Sequence, residues 1–250
     1  MPSSMPWPAR WAALALVGLI AAGLAACGGD DGDPTPTPAG SGSTATTAAG
    51  PGEGPRSEHG QLIARASIPL DLADGTSIGR ADAPVVVEAF EDFGCPHCLH
   101  FTATIEPRLF EDYVASGKVR FVYRYFPLQQ VTGTAAIAAE CAAEQDRFWE
   151  FHKLLFIAQA EANNKSGPGP GVAFSPASLR EKASDAGLDP AAFDACVAGE
   201  SALEQVREDL RAAQDLGLPG TPSFVINGEV LAGNPDTYDD WKELLDGLLK

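Results

Sequence analysis

The segment FGCPHC, residues 93–98, decides how this chain is read. Two cysteines separated by Pro96 and His97 suit a redox pair, half of a metal site or a haem attachment point. The haem reading fails at once. A c-type attachment needs a histidine directly after the second cysteine, and Leu99 stands there. Zinc could draw on Cys95, Cys98 and His100, but a closed site needs a fourth ligand, and no second CxxC or paired histidines supply one. No metal is expected. Thiol chemistry remains, and its meaning depends on the compartment.

The N-terminus bears on that question. Arg10 precedes an unbroken apolar run from Trp11 to Ala26 that ends in small residues, which is the layout of an export signal and short for a membrane span. The tetrad Leu24-Ala25-Ala26-Cys27 resembles the lipobox of bacterial lipoproteins, which implies that Cys27 is acylated and becomes the mature N-terminus. The alternative is an uncleaved membrane anchor. Both put the remainder outside the cytoplasm, in a periplasm or on the outer face of the cell membrane. From Gly28 to about Gly60 the chain is rich in Gly, Pro, Ser and Thr and nearly free of large apolar residues, so residues 27–61 read as a disordered tether behind the signal at 1–26.

The chain has 250 residues, 45% of them hydrophobic, with 34 acidic and 17 basic side chains and a net charge of −17. Such a balance argues against nucleic acid or anionic lipid headgroups as partners.

From about Leu62 the pattern is globular. The run APVVVEAF, Ala83 to Phe90, reads as a buried strand, and Gly94 with Pro96 marks a turn into a helix reaching about Val114. KVRFVYRYF, Lys118 to Phe126, alternates as a second strand. A helical stretch spans about Thr134 to Leu216, broken by the loop at Asn163–Gly171. In it Leu203, Val206, Leu210 and Ala213 share a face, and Ser201 with Glu204 has capping-box spacing. SFVING, Ser223 to Gly228, predicts a strand ending in an Asn227-Gly228 hairpin. A last helix turns Trp241, Leu244, Leu245 and Leu248 inward.

This order, with the residues FGCPHC and GTPSFVING, resembles the thioredoxin fold and, within it, the DsbA-like thiol:disulfide oxidoreductases. The resemblance covers most of residues 68–250. It implies an α/β thioredoxin fold over 62–129 and 213–250 with an inserted helical domain over 130–212. FWEFHKLLF, Phe148 to Phe156, is similar to the insert of the family's extracytoplasmic members.

At a helix N-terminus a thiolate is stabilised by free N–H groups and the helix dipole, so Cys95 is expected to be the exposed, acidic, attacking thiol and Cys98 the resolving one. His97 can add positive character nearby, and the family's oxidases share the Pro96-His97 pair, which favours oxidation over reduction. The resemblance also implies that Pro222 is a cis proline beside the cysteines, with Thr221 presenting backbone to an extended substrate; the alternative is a trans proline opening an edge strand. No cofactor is expected beyond the redox-active disulfide.

Many members of the fold carry a buried carboxylate six residues before the first cysteine. Ala89 stands there. Glu88 should face the other side of the strand. Glu91 shares the parity of Ala89 and could relay a proton, but at the strand end it reads as a solvated carboxylate. Cys141 and Cys196 remain as an even pair, which in an oxidising compartment suggests a structural bridge of roughly 4 kcal/mol, against two buried free thiols. His59 is assigned to the tether, His152 to packing or capping, and Phe148, Trp149, Phe151 and Phe156 to the core.

Two functions are compatible with these residues. One is an enzyme that exchanges disulfides with newly exported cysteine-containing proteins and is reoxidised by a DsbB-like or vitamin K epoxide reductase-like membrane partner. The other is a non-enzymatic module that binds extended polypeptides. Reductase and isomerase roles share the motif, but no dimerisation segment of the isomerase kind is legible, so a monomer is expected.

Overall fold

Val85, Val86 and Val87 open the central strand, and Val85, Val87 and Ala89 turn into the core at the two-residue period of extended chain. The computed structural model describes residues 55–164, 167 and 169–250. The export signal, Cys27 and the tether up to residue 54 lie outside the described residues. In chain order the first half comprises helix α1 (Glu58–Arg65), strands β1 (Ala73–Asp74), β2 (Ser77–Ile78) and β3 (Val85–Glu91), helices α2 (Pro96–Thr104) and α3 (Glu106–Leu109), a π turn (Phe110–Val114) and strand β4 (Val119–Tyr125). Helices α4 (Gln130–Ala143), α5 (Phe148–Ala162), α6 (Pro170–Ala173), α7 (Pro176–Asp185), α8 (Pro190–Ala198) and α9 (Ser201–Asp215) follow. Strands β5 (Ser223–Ile226) and β6 (Glu229–Val230) and helix α10 (Tyr238–Leu248) close the chain.

The strands form one sheet in the order β1-β2-β4-β3-β5-β6. Only β3 and β4 are parallel, in register from Val85 opposite Val119 to Glu91 opposite Tyr125. A parallel pair needs a crossover, and α2, α3 and the π turn supply it. β5 runs antiparallel on the other side of β3, with Phe90 opposite Ser223. Asn227 and Gly228 both take positive φ, at 50° and 84°, the conformation that a two-residue hairpin turn requires and that these residues tolerate.

Each sheet face is covered by helices. On one face Phe101 of α2, Phe224 of β5 and Trp241 of α10 pack with ring centroids 4.7–5.7 Å apart. The same core continues into α5, where Phe148 meets Tyr123 at 5.2 Å and Trp149 meets Phe110 at 5.3 Å. The indole N–H of Trp149 donates to the Ser77 carbonyl at 3.1 Å, so this buried ring is satisfied as well as packed. On the opposite face Phe90 and Val225 are covered by Ala213 and Leu218. Cys141 of α4 and Cys196 of α8 are joined by a disulfide across a separation of 55 residues.

Several sequence expectations are corrected by these contacts. Ordered structure begins before Leu62, because Glu161 of α5 accepts from the amides of Arg56 and Ser57 and from the Ser57 hydroxyl at 2.7–2.9 Å. His59 therefore belongs to α1, not to the tether. The boundary near residue 212 falls inside α9. No capping box forms at Ser201 and Glu204: the Ser201 hydroxyl donates to Glu144, and Glu204 is drawn to Arg211 at 2.7 Å. Leu248 is exposed rather than inward, since α10 ends there. The buried stripe of α9 includes Asp209, whose carboxylate accepts from the Tyr125 amide at 2.9 Å and pairs with Arg124 at 3.2 Å. Strands β1 and β2 were not legible at all, being two residues each.

Candidate active site

β3 delivers the chain to a tight turn whose shape is set by Asp92. That carboxylate is buried and accepts from the amides of Gly94 and Leu128, each at 2.7 Å, and from the Thr132 hydroxyl at 3.1 Å. The turn is thus tied to the start of α4. Gly94 is needed there: a Cβ would sit 2.5 Å from Cγ2 of Thr132. Cys95 is then the N-cap of α2 and Pro96 its first residue, where a missing N–H costs nothing and φ is already helical.

Both cysteines are free thiols. Cys95 is 9% exposed and Cys98 wholly buried, so Cys95 is more covered than the sequence implied. The Cys95 thiol donates to the Thr221 carbonyl at 3.2 Å, a contact only the protonated form makes. The balance still favours the thiolate. Its pKa is lowered to about 5, chiefly by the Cys98 thiol, with burial opposing and the Thr221 side chain and the amides of Cys98 and His97 assisting. His97 is exposed and acts through its amide; its ring is not among the groups that lower Cys95. Burial, foremost, and the proximity of Cys95 and Glu91 push Cys98 well up.

The peptide bond between Thr221 and Pro222 is cis, and the Asn234 side chain donates to the Pro222 carbonyl at 2.5 Å. A groove of about 270 Å³ runs beside it, lined by His97, His100, Phe101, Pro222, Asn234 and Asp236. His100 in turn meets the ring of His59 on α1 edge-on at 5.8 Å. The structure thus brings Cys95, Cys98, Pro96, His97, Thr221 and Pro222 to one place.

Glu91 is the main correction. It is 1% exposed and lies beneath Cys98, not in solvent, because α2, α3 and α5 close over the end of β3. Burial, then the nearby Glu106 and Cys95, push its carboxyl well above the usual range, although the Cys98 thiol opposes this. Asp92 and Glu106 were missed. The spacing Cys98, Thr102, Glu106, one position every four on a helix, was the available signal for Glu106.

A thiol with a pKa of about 5 gives a direct test. In the reduced protein, alkylation of Cys95 by iodoacetamide should be half-maximal near pH 5 and nearly flat above pH 7. A rate still climbing tenfold per pH unit toward about 8.5 would mean an unperturbed thiol.

Residues 72–247 match the Thioredoxin family model. The chain is 33% identical over 177 residues to the probable disulfide bond formation protein D of Bacillus anthracis, covering 70% of this chain and 78% of that protein. It is 35% identical over 164 residues to Na(+)/H(+) antiporter NhaA 3 of Salinispora tropica, but spans only 23% of that protein. Among solved structures, oxidised BdbD from Bacillus subtilis superposes with a TM-score of 0.61 at 27% identity, covering 74% of this chain and 95% of that one. On its fold, its paired cysteines and these relatives, the chain belongs to the thioredoxin family and, within it, to the DsbA-like thiol:disulfide oxidoreductases.

Proposed function

We propose that the protein is a thiol oxidase working outside the cytoplasm, tethered through an acylated Cys27, that introduces disulfides into newly exported cysteine-containing proteins. The observation that carries the direction is the surroundings of Cys95, in which the Cys98 thiol and first-turn amides favour a thiolate. Stabilising the thiolate stabilises the reduced enzyme and so makes its disulfide the stronger oxidant. The location rests on the export-signal pattern and on Leu24-Ala25-Ala26-Cys27. Acyl chains on Cys27 would hold the protein at a membrane surface; among the described residues no helix is long and apolar enough to cross a membrane.

In the forward step a substrate thiolate attacks Cys95 Sγ and the Cys95–Cys98 bond breaks, leaving the electron pair on Cys98. A second substrate thiolate attacks the substrate sulfur of the mixed disulfide, forms the substrate disulfide and releases Cys95 as thiolate. Two electrons thereby reach the enzyme, and one proton is taken up at Cys98 while Cys95 stays a thiolate. A DsbB-like or vitamin K epoxide reductase-like membrane partner accepts them in turn, and the oxidase acts as a monomer. The groove beside Pro222 offers an extended substrate its place.

The test is the equilibrium potential of the Cys95–Cys98 couple against glutathione, measured on residues 55–250. We expect about −120 to −180 mV, the range of strong thiol oxidants and isomerases. A value near −270 mV, that of thioredoxin, would make the protein a reductase needing an electron donor. No equilibration with glutathione at all would leave only the polypeptide-binding reading.

A further inference from the structure

Every turnover moves a proton at a sulfur that water does not reach. When Cys98 leaves its disulfide it must gain a proton, and when it attacks a mixed disulfide on Cys95 it must lose one, yet its side chain is 0% exposed. At the position where the fold's buried acid is expected stands Ala89, also fully buried.

The groups around Cys98 are polar and lack partners. Twelve buried side-chain N and O atoms among the described residues have no hydrogen-bond partner, and six of them gather here: both oxygens of Glu91, Thr102 Oγ1, Glu106 Oε2, Tyr123 Oη and His152 Nε2. Burying such atoms unpaired is costly, and clustering them under one sulfur calls for a reason beyond packing. The cluster has an order. Glu91 on β3 neighbours Cys98 above it and Glu106 on α3 behind it. Glu106 Oε2 lies 3.8 Å from His152 Nε2 on α5. Glu106, Thr102 and His152 then line a cavity of about 10 Å³ that Ser67 and Lys153 also border, the lower limit of what one water occupies. The rings of Phe93, Tyr123, Trp149 and Phe156 surround His152 at 4.9–6.0 Å and keep the rest of the chain of groups dry.

We propose that Glu91, Glu106 and His152 form a proton path from Cys98 to the cavity behind the active site, with Glu91 the group that exchanges the proton with the Cys98 sulfur. This rests on the disulfide-exchange reading. As the Cys95–Cys98 bond breaks, the electron pair goes to Cys98 and the acid proton of Glu91 follows it. The Glu91 carboxylate is refilled from the Glu106 acid, and Glu106 from solvent by way of the cavity beside His152, which exposed Ser67 borders. On reoxidation Cys98 attacks the mixed disulfide and the proton returns the same way. Burial holds both carboxyls in the acid form, well above the usual range, and lowers His152 to about 3, so the Glu106–His152 contact is between neutral groups and no fixed charge blocks the path. The titratable groups facing Glu91 are Cys95 and Cys98 on α2, Glu106 on α3 and Tyr123 on β4; His152 faces Glu106 from α5.

The test is stopped-flow oxidation of the full-length reduced protein by oxidised glutathione, which separates formation of the Cys95 adduct from ring closure by Cys98. Glu91→Gln should slow ring closure about 100-fold at pH 7, the usual worth of a positioned acid or base. The deficit should shrink as pH rises and hydroxide takes the proton instead. Glu106→Gln should slow it about tenfold with the same pH trend, because Glu91 must then be refilled by a slower route. Ring closure within twofold of wild type in both variants, or a deficit independent of pH, overturns the path. Wild type that forms no Cys95 adduct overturns the exchange reading and the path with it. Should Glu91→Gln not fold, the wild type decides: at neutral pH the infrared spectra of its oxidised and reduced forms should both contain the carbonyl band of a protonated carboxyl, and absence of that band from both overturns the proposal.

Discussion

Cys95→Ser should bring exchange with a dithiol substrate down to the uncatalysed level, and Cys98→Ser should leave the protein covalently joined to its substrates. The asymmetry follows from the two environments. Cys95 caps α2, is 9% exposed where Cys98 is fully buried, and is poised as a thiolate with a pKa of about 5, so it is both the sulfur that substrate reaches and the better leaving group. A serine hydroxyl in its place offers neither a disulfide to attack nor a nucleophile at neutral pH. Cys98 is buried one turn further in, with its pKa pushed well up, and meets only a sulfur already bound to Cys95. Without it the adduct has no internal escape. Non-reducing electrophoresis of cell extracts, followed by mass spectrometry of the adducts, checks both variants. A Cys98→Ser protein that accumulates no adducts in cells where the wild type is active would reverse the assigned order of attack.

The second large effect concerns stability. Replacing Cys141 and Cys196 together by alanine should destabilise the oxidised fold by about 4 kcal/mol, the chain-entropy value for a loop of 55 residues. For a chain of this size that corresponds to a fall in Tm of roughly 8–16 °C. The bridge fastens α4 to α8, and α4 begins where Asp92 ties the active-site turn to Leu128 and Thr132. The loosened end is that of Cys141, at the far end of α4, so alkylation of Cys95 should keep its pH profile in folded protein. Urea unfolding of the double variant beside the wild type measures the loss. A change below about 1 kcal/mol would show that helix packing alone holds α8, and that the reference state already keeps the two helices together.

What the sequence determined by itself is local. Gly94, Cys95 and Pro96 define a strand-to-helix junction because each acts within its own turn: glycine against a close neighbour, proline at the first helical position, cysteine as the cap. Asn227-Gly228 specified its hairpin for the same reason, and the alternation of Val119, Phe121, Tyr123 and Tyr125 specified the inward face of β4. Parity along β3 already placed Glu91 on the side of Ala89. Whether that side was wet or dry at the strand end was settled by helices that come later in the chain.

Only the tertiary structure decided the rest. α5 brings His152 to Glu106 across 46 residues of sequence, and Thr221 reaches Cys95 across 126. Glu161 fixes the start of α1 and with it the place of His59, which composition alone had left in the tether. Capping, turn chemistry and strand parity are interactions between near neighbours and can be read from a short window. The dielectric around a carboxyl depends on every element that excludes water from it, and those elements meet only when the chain has folded.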